Sequence, residues 1–258
     1  MFKAIGKDKN GETIEFDITN GLTRDQKIIF NNKDEIKSDE KAWLSCSNKD
    51  LVELTIPEGV TQVCCDYNKL TELIVPKSVV YVMCTDNKLT NLVISEGVTE
   101  LYCSNNSLTE LAVPNTMIEL SCYKNRIKSL DLPDGIKYLD CSTNSISELS
   151  IPKSVRTLIV FNNKLRKLDL QDGVVEVQCD QNRLTELSLP QSVKYLTCSN
   201  NMIENLDLPP NIQIVRCEQN DIEEISVPKS VIMKKSRFGD AKIIGNQIKE
   251  SRLSKFRE

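Results

Sequence analysis

The sequence contains no histidine. That single absence removes histidine-dependent triads, imidazole metal ligands and histidine pH switches. There is one tryptophan and no run of about 18 apolar residues, so no helical membrane span is predicted. The opening stretch MFKAIGKDKNGETIEF lacks the apolar centre of a signal peptide. Long runs of like charge are missing, and the formal net charge is -4 over 258 residues. Bulk charge therefore disfavours a nucleic-acid partner.

Cysteine, by contrast, is plentiful. Ten cysteines with no secretory signal favour reduced thiols. They also recur in a pattern. A cysteine is followed three residues later by asparagine and two after that by Leu or Ile, as in LYCSNNSL from Leu101. Unit starts fall at Leu44, Val63, Val82, Leu101, Leu120, Leu139, Leu158, Val177, Leu196 and Val215, a constant step of 19. Such self-similarity marks a stacked repeat array. With the unit start as position 0, positions 0, 2, 7, 10, 12 and 16 are apolar or Cys in every unit. Positions 0 and 2 predict one short strand with both side chains inward. Proline at position 13 in eight units argues against a helical return. Each unit is then a flat coil that buries its apolar side chains only by stacking on its neighbours.

The pattern LxxLxCxxNxLxxL, as in Val98, Leu101, Cys103, Asn106, Leu108 and Leu111, resembles the leucine-rich repeat. The short period and the LP or IP return resemble repeats of type III secreted effectors of enteric bacteria. The phrases IPEGV and IPKSV also resemble longer repeats of bacterial and protozoan surface proteins. The resemblance implies a β-rich solenoid: a horseshoe with a parallel concave sheet and an extended, non-helical convex side. Residues 44–233 form the ten repeats. Residues 1–43 are expected to form an amino-terminal cap, a hairpin around Asn10-Gly11 plus a short helix from Thr23. Residues 234–258 are expected to be a basic cap or tail. The expected location is cytoplasmic, or a host cytosol reached without a classical signal peptide.

Nine cysteines occupy position 2, and Val160 stands there in unit seven. A valine substitute indicates an apolar slot, and a straight row does not supply four tetrahedral ligands. No metal and no cofactor are expected. Asparagine fills position 5 in nine units, where an amide satisfies backbone groups at a turn across neighbouring coils. Positions 14 and 15 alternate acid-Gly with Lys-Ser or neutral equivalents, a rhythm of 38 residues.

The resemblance places positions -1, 1, 3 and 4 on the concave face. All six tyrosines fall there: Tyr67, Tyr81, Tyr102, Tyr123, Tyr138 and Tyr195, together with Phe161. So do the acids Asp66, Asp86, Glu100, Glu119, Asp140, Glu176, Asp180 and Glu218, opposed only by Lys124 and Arg216. Tyrosine amid acids suits protein recognition. The expected function is a non-catalytic interaction module binding a protein, such as one with a basic segment, on this face. The candidate contacts are those tyrosines and Phe161 with Asp66, Glu100, Glu119, Asp140, Glu176 and Asp180. The competing readings are a surface or adhesion protein and the substrate-reading part of a ubiquitin ligase. The latter needs a catalytic domain, which the 25 residues after Met233 are too few to hold. Cys64, off the cysteine row, is expected to be exposed and inert on the concave face.

Overall fold

The computed structural model describes residues 3–17, 19–20 and 42–244. Each repeat contributes one strand to an 11-stranded sheet, completed by the antiparallel edge strand Thr19–Asn20. Most of these strands are three residues long, as in Glu100–Tyr102, Glu119–Ser121 and Tyr138–Asp140. They pair in parallel with a register of one repeat, Leu101 opposite Leu120 and Leu139 opposite Leu158. Equivalent residues of successive units therefore form straight columns. The columns at positions 0, 2, 7 and 16 are the core: Leu101, Cys103, Leu108 and Met117 are all fully buried. A Leu buried this way contributes about 1.5–3 kcal/mol.

The strands stop after three residues because the chain turns at position 4. All ten residues there have a left-handed backbone, with φ from 52° at Thr143 to 59° at Asn200. A side chain with a Cβ carries strain of about 1–2 kcal/mol in that region, most for a branched residue such as Thr143. The asparagine at position 5 offsets it. Asn106 Nδ2 donates to the carbonyls of Cys103 (3.0 Å) and Ser104 (3.2 Å) in its own unit and of Cys84 (3.0 Å) in the preceding one. Its Oδ1 accepts the Leu89 N–H at 2.9 Å. The same set recurs at Asn68, Asn144, Asn163 and Asn201. In unit one, where Lys49 replaces asparagine, Asn68 Oδ1 accepts N–H groups from both Lys49 and Leu51. The thiols beside this ladder are all free and buried.

The convex side carries short strands only near its two ends. Leu51–Thr55 pairs with Lys3–Asp8, which forms a hairpin with Thr13–Asp17. Glu72–Val75 pairs with Asn91–Ile94. Position 11 explains the limit. It holds Thr55, Ile74 and Val93 in the first three units, then Ala112, Asp131, Ser150 and Asp169. β-branched residues favour a ladder more than Asp, Ser and Ala do, although Ser226 at the same position pairs with Ile244 at the carboxyl end. From unit four the return runs extended without strand pairing until Glu224–Ser226, which pairs with Lys242–Ile244.

The 38-residue rhythm has a mechanical basis. Gly59, Gly97 and Gly173 sit at positive φ and donate their N–H to the hydroxyls of Ser78 (3.0 Å), Thr116 (3.1 Å) and Ser192 (2.9 Å) in the next unit. Thr116 passes the bond on to the Val98 carbonyl at 2.8 Å. Units one and two, three and four, and seven and eight are thus clipped in pairs along the descending edge. At the carboxyl end, Phe238 covers the last coil beyond a 3-10 turn at Met233–Lys235. The expected helix from Thr23 and residues 245–258 of the tail lie outside the described residues.

Removing one amide from the ladder tests its weight. Asn163→Ala leaves the Ile146 N–H and the carbonyls of Cys141 and Val160 without this partner. An unsatisfied buried group costs about 1–3 kcal/mol, so the expected loss is about 3 kcal/mol, comparable with Leu108→Ala. Urea denaturation measures it, and a loss below about 1 kcal/mol would contradict the ladder's role.

Candidate functional site

The sheet carries its outward columns at positions -1 and 1, and the turn carries those at 3 and 4. Because the register is fixed, side chains from adjacent units meet directly. Tyr102 donates its hydroxyl to Glu119 Oε2 at 3.0 Å. Its ring lies 5.7 Å from that of Tyr81, tilted by 43°. Tyr195 reaches Gln213 Oε1 at 3.1 Å. Tyr67 is 63% exposed, Tyr123 39% and Tyr195 38%, while Tyr138 and Phe161 are half-buried. Burial, with Asp140 next, pushes the Tyr138 hydroxyl up to about 12.

Two expected contacts are not surface groups. Tyr81 and Asp66 are both buried, at 9% and 8% exposure. Cys64, expected to be exposed, is also buried at 8%. Trp43, Cys64 and Tyr81 form a small apolar cluster of their own at the first strands, with Met83 and Tyr102 packed against it. The physical reason is the first unit's tryptophan at position -1. It closes over the adjacent thiol and tyrosine where later units carry smaller or polar residues. Burial, then the nearby Asp66 carboxylate, pushes the Cys64 thiol up to about 12.

Several of the acids serve the backbone. In units two, three and nine the N–H at position 3 donates to the position-3 side chain of the preceding unit instead of a carbonyl. Asp66 Oδ1 accepts the Thr85 N–H at 2.7 Å, and Asp180 Oδ1 accepts that of Ser199 at 2.8 Å. Asp180 also takes the Thr197 hydroxyl, and Asp86 takes the Asn105 amide. Asp140 accepts from the Ser142 N–H at 3.1 Å and hydroxyl at 2.7 Å. Glu176 accepts the Gln178 amide at 2.7 Å. Glu100 and Glu119 stand opposite each other on adjacent strands, both half-buried. The face therefore combines exposed aromatic surface with carboxylates largely fixed in place.

A column just beyond the asparagine row was absent from the sequence expectations. Position 6 holds Lys69, Lys88, Arg126, Lys164 and Arg183, separated by serines in units four and six. The signal lay in the same 19-residue step, read one position past the amide. On the convex side, a shallow hollow is lined by Leu130, Leu132, Leu149 and Ile151 with Asp131 and Glu148. None of the tyrosines borders it.

This solenoid is similar to YopM from Yersinia enterocolitica WA-314, at 29% identity and a TM-score of 0.67 over 69% of this chain and 42% of that one. It is also similar to the functional domain of InlJ from Listeria monocytogenes, which includes a cysteine ladder. That likeness is 27% identity and a TM-score of 0.65 over 71% of this chain and 45% of that one. YopM from Yersinia pestis shares the fold at 23% identity and a TM-score of 0.58. The chain spans less than half the length of the first two. No protein-family model and no curated protein matches the sequence.

Two measurements follow from this geometry. Burial raises the Asp66 carboxyl from 3.8 to about 6, with Asp86 adding to the rise against the Thr85 N–H. The folded state then binds more protons than the unfolded chain between those values. Stability from this group is present at low pH and is lost as pH rises through about 6. Asp66→Asn, which keeps an acceptor for Thr85, should be more stable than wild type at neutral pH by on the order of 1 kcal/mol. Thermal melts across pH should show the advantage vanishing in acid; a constant difference would refute the titration. Separately, native protein should react with a thiol reagent far more slowly than denatured protein at all ten cysteines. One fast thiol in the native state, traced to Cys64, would contradict its burial.

Proposed function

We propose that the chain, a leucine-rich repeat protein, is a non-catalytic interaction module that binds a protein on its concave face. The observation that carries this reading is the exposure of Tyr67, Tyr123 and Tyr195 on a backbone pinned unit by unit. Rigid tyrosines offer large contact area and a hydroxyl with little entropy to lose. The similar solved proteins are repeat proteins of the same architecture, which supports protein binding in general. The contacts proposed are Tyr67, Tyr102, Tyr123, Tyr138, Phe161 and Tyr195, with Glu100, Glu119 and Glu176 along the sheet. A partner segment of basic or mixed charge suits these acids, whose field would act mainly on association rate and specificity. Free thiols along the whole ladder fit a reducing compartment such as a cytosol.

The test is affinity capture with mass spectrometry, comparing wild type with a Tyr102→Ala, Tyr123→Ala, Tyr138→Ala variant shown to be folded by circular dichroism. The expected result is a partner bound by wild type and lost, or weakened at least tenfold, in the variant. Equal affinity of both for the same partner would exclude the concave tyrosines.

A further inference from the structure

We propose that the lateral rim formed by positions 4, 6 and 8 is a second docking strip, fitted to an extended acidic segment of a protein partner. The protein class of that partner rests on the interaction reading above; the strip itself rests on charge. From unit two to unit eight these three positions hold eight cations and one acid, Asp86, which is already engaged by Asn105. The column is straight because its backbone is laddered. The N–H groups of Lys88, Arg126, Lys164 and Arg183 donate to the position-7 carbonyls of Leu70 (2.9 Å), Leu108 (2.8 Å), Ile146 (2.8 Å) and Leu165 (2.8 Å).

Those four side chains are exposed, as are Lys124 and Arg166 beside them. Among the described residues none of the six is in an ion pair, whereas Lys69 at the start of the row is held by Asp50 at 2.6 Å. The strip has marked ends: Asp50 precedes it at position 6, and Asp221 follows there in unit ten. Six steps of about 4.8 Å give a length of about 29 Å, the span of about nine extended residues.

The neighbouring columns choose between polyanions. Asp180 at position 3 and Asp140 at position 1, both half-buried, lie inward of the rim. A nucleic acid broad enough to lay bases across the face would bring phosphates against them. A single peptide strand stays on the cationic line, and the exposed rings of Tyr67 and Tyr123 border it for apolar side chains. Unpaired exposed cations of this kind speed and orient docking and respond steeply to salt.

The probe is a fluorescein-labelled 20-residue poly-Glu peptide, followed by anisotropy at low and physiological salt. Wild type should bind it, more weakly as salt rises. Arg126→Glu with Lys164→Glu should weaken binding at least tenfold. Lys137→Glu with Lys194→Glu, an equal charge change at exposed position 17, should change it less than threefold. Equal losses in the two pairs would show general attraction and overturn the strip. So would no binding by wild type, or tighter rim-dependent binding of an oligo-dT of the same length. Loss in the tyrosine variant with the rim intact would move the acidic peptide to the concave face, overturning the rim while leaving the interaction reading standing. The native-partner capture tests that reading without this peptide.

Discussion

The amide at position 5 is the constraint on which the rest of the molecule depends. A coil of 19 residues must reverse direction twice, and the sharper reversal follows a strand of only three residues. The chain manages it with a left-handed residue at position 4, and only Asn48, Asp86, Asn105, Asn162 and Asn200 there are of a type that tolerates such a φ readily. Tyr67, Lys124 and Thr143 do not prefer it. They adopt it because the next residue's Nδ2 gathers two carbonyls of its own coil and one of the coil before, while its Oδ1 takes an N–H of that coil. No single-unit turn motif would do both. The same atoms that bend one unit fasten it to the last.

Two other features follow from that geometry. The carbonyl at position 2 is one of those gathered, so its side chain sits against the tightest part of the turn, between neighbouring units. A small apolar group fits; cysteine fills the slot nine times and Val160 once. Burial drives the thiols upward, Cys103 to about 12, so they remain protonated and behave as packing atoms. The repeated position-4 residue is also exposed or half-exposed in nearly every unit. A strained backbone position, fixed by its neighbour, thereby presents a fixed row of side chains at the seam between sheet and rim.

The repeat, the parallel sheet, the amide ladder and the thiol row were legible because each is a column, and a column writes itself into the sequence as a period. What was not legible is what breaks the period. Trp43 occupies position -1 only once, and its ring covers Cys64 and Tyr81, so a thiol and a tyrosine assigned to the surface by position are interior. Asp66 and Asp180 sit at position 3 among serines and threonines, and their role as acceptors for the next unit's N–H depends on a backbone direction that residue identity does not reveal. The convex strands likewise end where position 11 changes from Ile74 and Val93 to Ala112 and Asp131. That change becomes meaningful once the columns are known to be neighbours.

Charge shows the same limit most clearly. A formal net charge of -4 reads as a mildly acidic protein with no preferred polyanion. Columns divide that sum into surfaces of opposite sign. The concave face carries acids, many bound to their own backbone. The convex return carries Glu110, Asp131, Glu148, Asp169, Glu186 and Asp207, all exposed. Between them the rim collects cations at position 6 of units two, three, five, seven and eight. With a Debye length near 8 Å at physiological salt, a partner on one face feels chiefly that face. The charge that matters for recognition in a solenoid is the charge per column, and the stacking that fixes the columns is set by one asparagine per turn.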